Sequence, residues 1–387
     1  MSHIAPEDIC YITLRSIAHT SHPFINLGPT NKMYNATLQS IKSLSAETIQ
    51  EINDRFKASH PDLHDDWQNF GPAQLAAYVP CIQACEDLPS SSETTIVPIV
   101  QSFKYIKLQR LDVSNFQLGK NFDHLLDSLE NGDMKCLLLV NLRSTAPSDD
   151  QMTRLATHIG EMPELESLDI SWNRAESGKT LPILASNLIQ CKHLQILYVN
   201  NMHAPAEDML VLAQNLPSHL TLLSIHGNEM NNLVALCLTN TLPASLTTLF
   251  ISVRHLSADT HRTFMNAISH KLPRLQELRV WDSPYAGDLV QQGGYILLTC
   301  THLDRLVLQS TSDVMVPPES LGIYVNGLRK AIQVTSLSLY GIRLDTDGFR
   351  RLVDVCRQKS LQKLQLHRNL LPEGINSVFL EDFIVLA

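Results

Sequence analysis

The sequence predicts an α/β solenoid, with a parallel sheet lining one face and helices covering the other. Three observations predict it. A six-residue apolar pattern with leucine at its fourth position recurs ten times. Its central leucines stand 26 to 31 residues apart. Apolar residues at helical spacing fill the intervals. A period in this range marks a strand-plus-helix unit that buries its apolar face only by stacking on its neighbours.

The pattern is apolar-x-x-Leu-x-apolar. It begins at Leu108/Leu111/Val113 and Met134/Leu137/Leu139, then runs through Leu165/Leu168/Ile170, Leu194/Leu197/Val199 and Leu220/Leu223/Ile225. Leu246/Leu249/Ile251, Leu275/Leu278/Val280, Leu303/Leu306/Leu308, Val334/Leu337/Leu339 and Leu361/Leu364/Leu366 complete it. With 44% hydrophobic residues overall, chance does not fill every flanking position at near-regular spacing.

The intervals read as helices. Asp123 to Leu129, Ala206 to Ala213 and Asp345 to Val353 carry apolar residues three and four apart. Asp345 and Asp347 suit a helix N-terminus. Pro163, Pro217, Pro243 and Pro273 stand where the chain must leave a helix for the next strand.

Residues 1–100 precede the pattern. Helices are expected over 6–18, 45–58 and 72–85, with Cys81 and Cys85 on one face of the last. Leu88-Pro89-Ser90-Ser91-Ser92 reads as a connector. The expected organisation is a mostly helical N-terminal cap over 1–100, an array over 101–370 and a C-terminal capping helix over 371–387, since the ends of such an array need apolar cover.

These residues resemble the leucine-rich-repeat family at its long end, the ribonuclease-inhibitor-like subtype. The resemblance implies a horseshoe with a concave parallel sheet and convex helices. It also implies an asparagine five residues after each central leucine, bonding backbone groups of neighbouring turns. Asn173, Asn228 and Asn369 fit. Phe116, Leu142, Met202, Arg254, Ser283, Thr311 and Ile342 stand at the other sites, so irregular coils are expected there.

Composition narrows the function. The formal net charge is −9, from 30 basic and 39 acidic residues. An acidic chain repels phosphate backbones, so nucleic acid is a poor partner. No apolar run approaches the ~18 residues of a membrane span. The start lacks the basic and apolar regions of an export signal. The eight cysteines are scattered in apolar contexts and read as reduced thiols of a cytoplasmic protein. The sequon Asn35-Ala36-Thr37 is then a chance occurrence.

No motif supports an enzyme, a cofactor or a metal. Ser177-Gly178-Lys179-Thr180 echoes the end of a phosphate-binding loop, but Asn173 replaces the glycine such a loop needs. Asn173 also occupies the repeat's asparagine position. Cys85-Glu86-Asp87 resembles the Cys-x-Asp motif of a bacterial ubiquitin-ligase family, without room for that family's catalytic domain. His60 and His64 near Asp65 and Asp66 lack a third ligand and read as a solvated turn.

Binding is expected on the sheet. Residues one before, one after and three after the central leucine face away from the core. The second repeat would then present Cys136, Leu138 and Val140. Later repeats present aromatic and basic side chains, the types that dominate interface energetics. Tyr198, Phe250, Arg279, Trp281, Arg305, Tyr340 and His367 form the candidate partner-binding patch.

The function expected is a scaffold that binds another protein by its concave face. The chain resembles leucine-rich-repeat effectors that intracellular bacteria such as Legionella inject into host cells. Its end, with Glu373, Glu381 and Asp382 before Phe383-Ile384-Val385-Leu386-Ala387, is similar to a type IV translocation signal. The alternative is a ubiquitin-ligase substrate receptor, since Pro6-Glu7-Asp8-Ile9 with Ile12, Leu14 and Ile17 resembles the start of an F-box.

Overall fold

A computed structural model of the chain describes residues 12–13, 81–83, 110–112, 114, 118–119, 122–131, 137–174, 179–359 and 361–367. They fall into two units, one up to Arg174 with Gln190–His193, the other formed by the rest.

The first unit carries β1 (Ile12–Thr13), β2 (Cys81–Gln83), β3 (Arg110–Asp112), β4 (Leu139–Asn141) and β5 (Ser167–Asp169). Each pairs in parallel with the next. Helix α1 (Phe122–Asn131) links β3 to β4, and α2 (Asp149–His158) links β4 to β5. Ser148 caps α2 in a reciprocal box. Its Oγ accepts from Gln151 N at 3.3 Å, and Gln151 Oε1 accepts from Ser148 N at 2.8 Å. Arg154 ties α2 to α1 by donating to Glu130 and to Asp127, the latter at 2.6 Å. The hydrogen bond from Arg154 to Glu130 holds the Glu130 carboxyl below its ordinary pKa.

Two expectations change here. Strands β1 and β2 lie within the spans 6–18 and 72–85 expected to be helical, so Cys81 opens a strand instead of marking a helix face. The reason is legible in retrospect. Ile9-x-x-Ile12-x-Leu14 and Val79-x-x-Ile82-x-Ala84 repeat the pattern with isoleucine in the centre, and Ile82 pairs with Leu111. A β-branched residue suits a pleated strand. The rest of those spans, the expected helices over 45–58 and 371–387, and Asn35, His60, His64, Cys85 and Asn369 lie outside the described residues.

The second change is a register. Val140, not Leu137, pairs with Leu111 on one side and Leu168 on the other. The second repeat is therefore Leu137-x-x-Val140-x-Leu142, and its outward residues are Leu139, Asn141 and Arg143. The run from Cys136 to Val140 is apolar throughout, so periodicity alone does not choose. A slip of three residues exchanges the faces of the strand. The central residues then advance by 29 and 28 positions, more evenly than the 26 and 31 of the first reading. Thr145, not Leu142, takes the asparagine position and donates to Leu142 O at 2.9 Å.

The second unit alternates helix and strand. Its helices are α3 (Thr180–Leu188), α4 (Ala206–Gln214), α5 (Asn232–Thr241), α6 (Ala258–Lys271), α7 (Ala286–Thr299), α8 (Pro318–Lys330) and α9 (Thr346–Gln358). Its strands are β6 (Ile196–Tyr198), β7 (Leu222–Ser224), β8 (Thr248–Ser252), β9 (Glu277–Ser283), β10 (Arg305–Ser310), β11 (Ser336–Tyr340) and β12 (Lys363–His367). They pair in parallel and in chain order, with each central leucine opposite the next.

The central leucines from Leu197 to Leu337 are fully buried. Each such burial contributes about 2 kcal/mol before chain entropy is counted. Asn231, Ser257 and Asp345 cap α5, α6 and α9 through side-chain oxygens that accept from backbone N–H groups. The four prolines follow α2, α4, α5 and α6, as the sequence indicated.

The asparagine ladders are present. Asn228 Nδ2 donates to Val199 O at 2.6 Å and Ile225 O at 3.1 Å. Its Oδ1 accepts from Met202 N at 3.0 Å and Ala204 N at 3.3 Å. Within the first unit, Asn173 does the same with Leu142 O, Ile170 O, Thr145 N and Ala146 N. One position before the asparagine site, the backbone turns left-handed at Ser144, Trp172, Asn201, Gly227, Asp282 and Gly341. That residue swings the chain out of the sheet toward the helix.

The later strands run longer. β8 to β12 span five to seven residues, against three in β6 and β7. The longest, β9, ends in a bulge against β10: Val280 pairs with Leu308 and Ser283 with Ser310, leaving Trp281 and Asp282 to share Gln309. Bulges of this kind re-aim side chains. Asp282, at φ 59°, supplies the turn.

Candidate functional site

The outward rows of β9 to β12 converge on one open groove in the second unit. Its volume is about 500 Å³, and Arg279, Trp281, Arg305 and Tyr340 all line it. Four of the seven residues singled out from the sequence therefore share one surface. Register places them. Arg279 stands between Phe250 and Val307 on one row, and Trp281 opposite Ser252 on another. Tyr340 lies between Gln309 and His367.

Phe250 lies beside the groove and supports it. The Arg279 guanidinium is 4.4 Å from the centre of its ring. The Trp281 ring meets Phe250 edge-on at 5.9 Å and His226 at 4.6 Å. Edge-on aromatic pairs and a cation over a ring each contribute roughly 0.5–1.5 kcal/mol beyond area. Arg279 is held a second way, since its Nε donates to Glu277 Oε1 at 2.7 Å. Both Arg279 and Trp281 thus present themselves in fixed poses.

The other wall is polar. Ser338 Oγ donates to Gln365 Oε1 at 2.9 Å, and Tyr340 OH reaches the same oxygen at 3.5 Å. Arg305 is more than half exposed and pairs only loosely with Asp304, at 3.5 Å. Lys363, Gln309, Ser336 and Thr335 complete the lining.

Tyr198 shares the outward row but lies apart. The row runs Tyr198, Ser224, Phe250, which sets Tyr198 two strands from the aromatic cluster. The His367 side chain lies outside the described residues. His226 was not singled out from the sequence, although it occupies the outward position after Leu223. Residue type had favoured tryptophan, tyrosine and arginine over histidine there. Glu277, Gln365 and Lys363 were passed over for the same reason.

The remaining motifs resolve structurally. Thr180 of the phosphate-loop echo is fully buried, and Lys179 stands at the N-cap position of α3 without a side-chain cap. Ser177 and Gly178 lie outside the described residues. Burial pushes the thiols of Cys191 and Cys300 up to about 11 and that of Cys356 up to about 12. Such thiols are poor nucleophiles at neutral pH. Among the described residues, no group of three His, Cys, Asp or Glu side chains is placed to hold a metal. No described helix is long and apolar enough to cross a membrane.

Parallel strands in chain order, a helix between each consecutive pair from β3 to β12, and asparagines bonding to the preceding turn decide the architecture. It is a leucine-rich-repeat α/β solenoid. No family model matches the chain, and no curated protein matches it. Similar solved structures include the leucine-rich-repeat-containing protein LegL7 from Legionella pneumophila, at 15% identity over 64% of this chain and 79% of that one, with a TM-score of 0.37. An internalin from Listeria monocytogenes matches at 14% identity over 81% and 82%, with a TM-score of 0.42. A leucine-rich-repeat protein from Leptospira interrogans matches at 16% over 81% and 79%, with a TM-score of 0.37.

Proposed function

We propose that this leucine-rich-repeat chain is a scaffold that binds a partner protein on the sheet face of its second unit. One observation carries the reading: Arg279, Trp281, Arg305 and Tyr340 line a single open groove. Packing fixes the poses of Arg279 and Trp281, so little side-chain entropy remains to be lost on binding. Aromatic and arginine side chains in such poses are the residue types from which hot spots are built.

The test uses a photo-crosslinking amino acid at Tyr340 and, as a control, at Tyr295, which is exposed on helix α7. Crosslinks to one defined protein from Tyr340, absent from Tyr295 and lost with Trp281→Ala, are expected. The loss corresponds to about 2 kcal/mol or more, roughly thirtyfold in affinity. Equal crosslinking from both sites refutes the assignment.

The same proposal places the scaffold in a reducing compartment, as an effector delivered into a host cell. What supports it is the free thiols of Cys191, Cys237, Cys300 and Cys356, and the acidic-then-apolar composition of residues 373–387. A translocation reporter fused to the full chain and to a chain lacking residues 371–387 tests it. Equal delivery of both removes the C-terminal signal. The substrate-receptor alternative rests on a helix over the first residues, where Ile12 and Thr13 are extended.

A further inference from the structure

We propose that the occupant of the groove over β9 to β12 is an extended acidic segment of the partner, a run of aspartate and glutamate side chains. This rests on the reading that the sheet face binds protein, and it adds the chemistry of what binds.

Charge is the first argument. The chain carries a net −9. Yet the groove is lined by three cations, Arg279, Arg305 and Lys363, against one carboxylate, Glu277. That carboxylate is engaged, because Arg279 donates to its Oε1 through both Nε, at 2.7 Å, and a terminal nitrogen, at 2.5 Å. Arg305 and Lys363 are exposed. Arg305 has Asp304 at 3.5 Å, both solvent-facing, a contact that an incoming carboxylate displaces at little cost. A positive groove on an acidic molecule both attracts and selects an acidic partner.

Spacing is the second argument. Arg305, Ser336 and Lys363 follow one another across three adjacent strands. At about 4.8 Å between strands, the Cα atoms of the two cationic residues stand about 10 Å apart. One compact anion such as phosphate meets both only if the two side chains bend together, whereas an extended ligand meets each where it stands. A chain in the extended polyproline II conformation rises about 3.1 Å per residue and brings every third side chain to one face, so carboxylates three residues apart match the interval. Between the cations the floor offers Ser336, Ser338 and Gln365, hydroxyl and amide groups suited to a peptide backbone. Trp281 and Tyr340 supply apolar contact at the edges.

The experiment follows fluorescein-labelled decaglutamate, decaglutamine and decalysine by anisotropy with the full chain. Decaglutamate is expected to bind, to weaken as salt rises, and to quench the fluorescence of Trp281. Arg305→Glu with Lys363→Glu should weaken it by about tenfold or more, and the milder Arg305→Gln with Lys363→Gln by less. Both sites are exposed, and unchanged circular dichroism confirms that each variant folds. Inorganic phosphate should not displace the peptide at equal concentration. No decaglutamate binding, equal binding of decaglutamine, or indifference to the charge reversals overturns the proposal. So does displacement by phosphate. A crosslinked partner that is lost with Trp281→Ala but retained by the charge reversals overturns the acidic segment and leaves the face assignment standing.

Discussion

Replacing Asn228 by alanine isolates the interaction that defines each turn of the coil. The side chain is buried and makes four hydrogen bonds, donating to Val199 O and Ile225 O and accepting from Met202 N and Ala204 N. Each bond contributes about 1 kcal/mol net, and a buried group left without a partner costs about as much or more. The four together give a loss of about 4 kcal/mol, a large share of a typical domain's stability. The assay is urea unfolding followed by Trp281 fluorescence, because that residue sits in the same unit. Asn228→Asp separates the donors from the acceptor. It keeps an oxygen facing Met202 N and Ala204 N but turns a carboxylate on two carbonyl oxygens, so it too destabilises at neutral pH. Asn240→Ala on the exposed face of α5 is the control, expected within about 0.5 kcal/mol of the parent. A loss under about 1 kcal/mol for Asn228→Ala refutes the claim that this amide holds the turn.

Two further perturbations test the packing of the second unit. His261 is fully buried against Tyr285 with its Nε2 at 3.2 Å from Ser283 Oγ, and burial lowers its pKa to about 4. The folded state thus holds the neutral ring while the unfolded chain takes a proton near 6.5. The unfolded state binds more protons in that window, so stability is full above about pH 6.5 and falls as pH drops toward 4. Stability relative to His261→Gln should fall by about 2 kcal/mol between pH 7.5 and pH 5; a difference independent of pH counts against a neutral buried ring. Within α8, a Cβ on Gly327 would come within 2.3 Å of Gly294 O, whereas one on Gly322 would meet nothing within 4 Å. Gly327→Ala should cost about 1–3 kcal/mol by forcing α7 and α8 apart, while Gly322→Ala should gain about 0.5–1 kcal/mol from helix propensity. Equal effects in thermal unfolding would show that the two helices are not in close contact there.

Most of the array was legible because its signal is redundant. Leu168, Leu197 and Leu223 each sit between polar outward neighbours or within a clean template, so burial admits one register. The second repeat lacked that redundancy. From Cys136 to Val140 every residue is apolar, and a preference for leucine in the centre selected the wrong one. Spacing held the answer, since Val140 stands 29 and 28 residues from Leu111 and Leu168, against 26 and 31 for Leu137. β1 and β2 were missed for a related reason: Ile12 and Ile82 satisfy the pattern in everything but residue identity. Pairing of Ile82 with Leu111 shows that the position demands a buried branched aliphatic side chain, not leucine itself.

The site was legible in its rows and not in its grouping. Sequence register assigns an outward direction to each residue, and Arg279, Trp281, Arg305 and Tyr340 follow it into the groove. It does not reveal that Arg279 folds back over Phe250 while Arg305 stays open, because that choice depends on Glu277 lying two residues before Arg279 on the same face. Nor does it reveal the bulge. β9 stays paired to its end at Ser283, and the two-to-one pairing at Trp281 and Asp282 absorbs the extra length. The bulge bends β9 where Trp281 meets His226 and Phe250. At the equivalent site Asn228 bonds the exiting chain to the preceding turn. Ser283→Asn should therefore draw the chain out of the sheet earlier, shorten β9 and shift Trp281. A red-shifted, more accessible Trp281 emission and weaker partner binding are the expected results. An unchanged spectrum would mean that the aromatic cluster, and not the strand exit, sets the pose of the tryptophan.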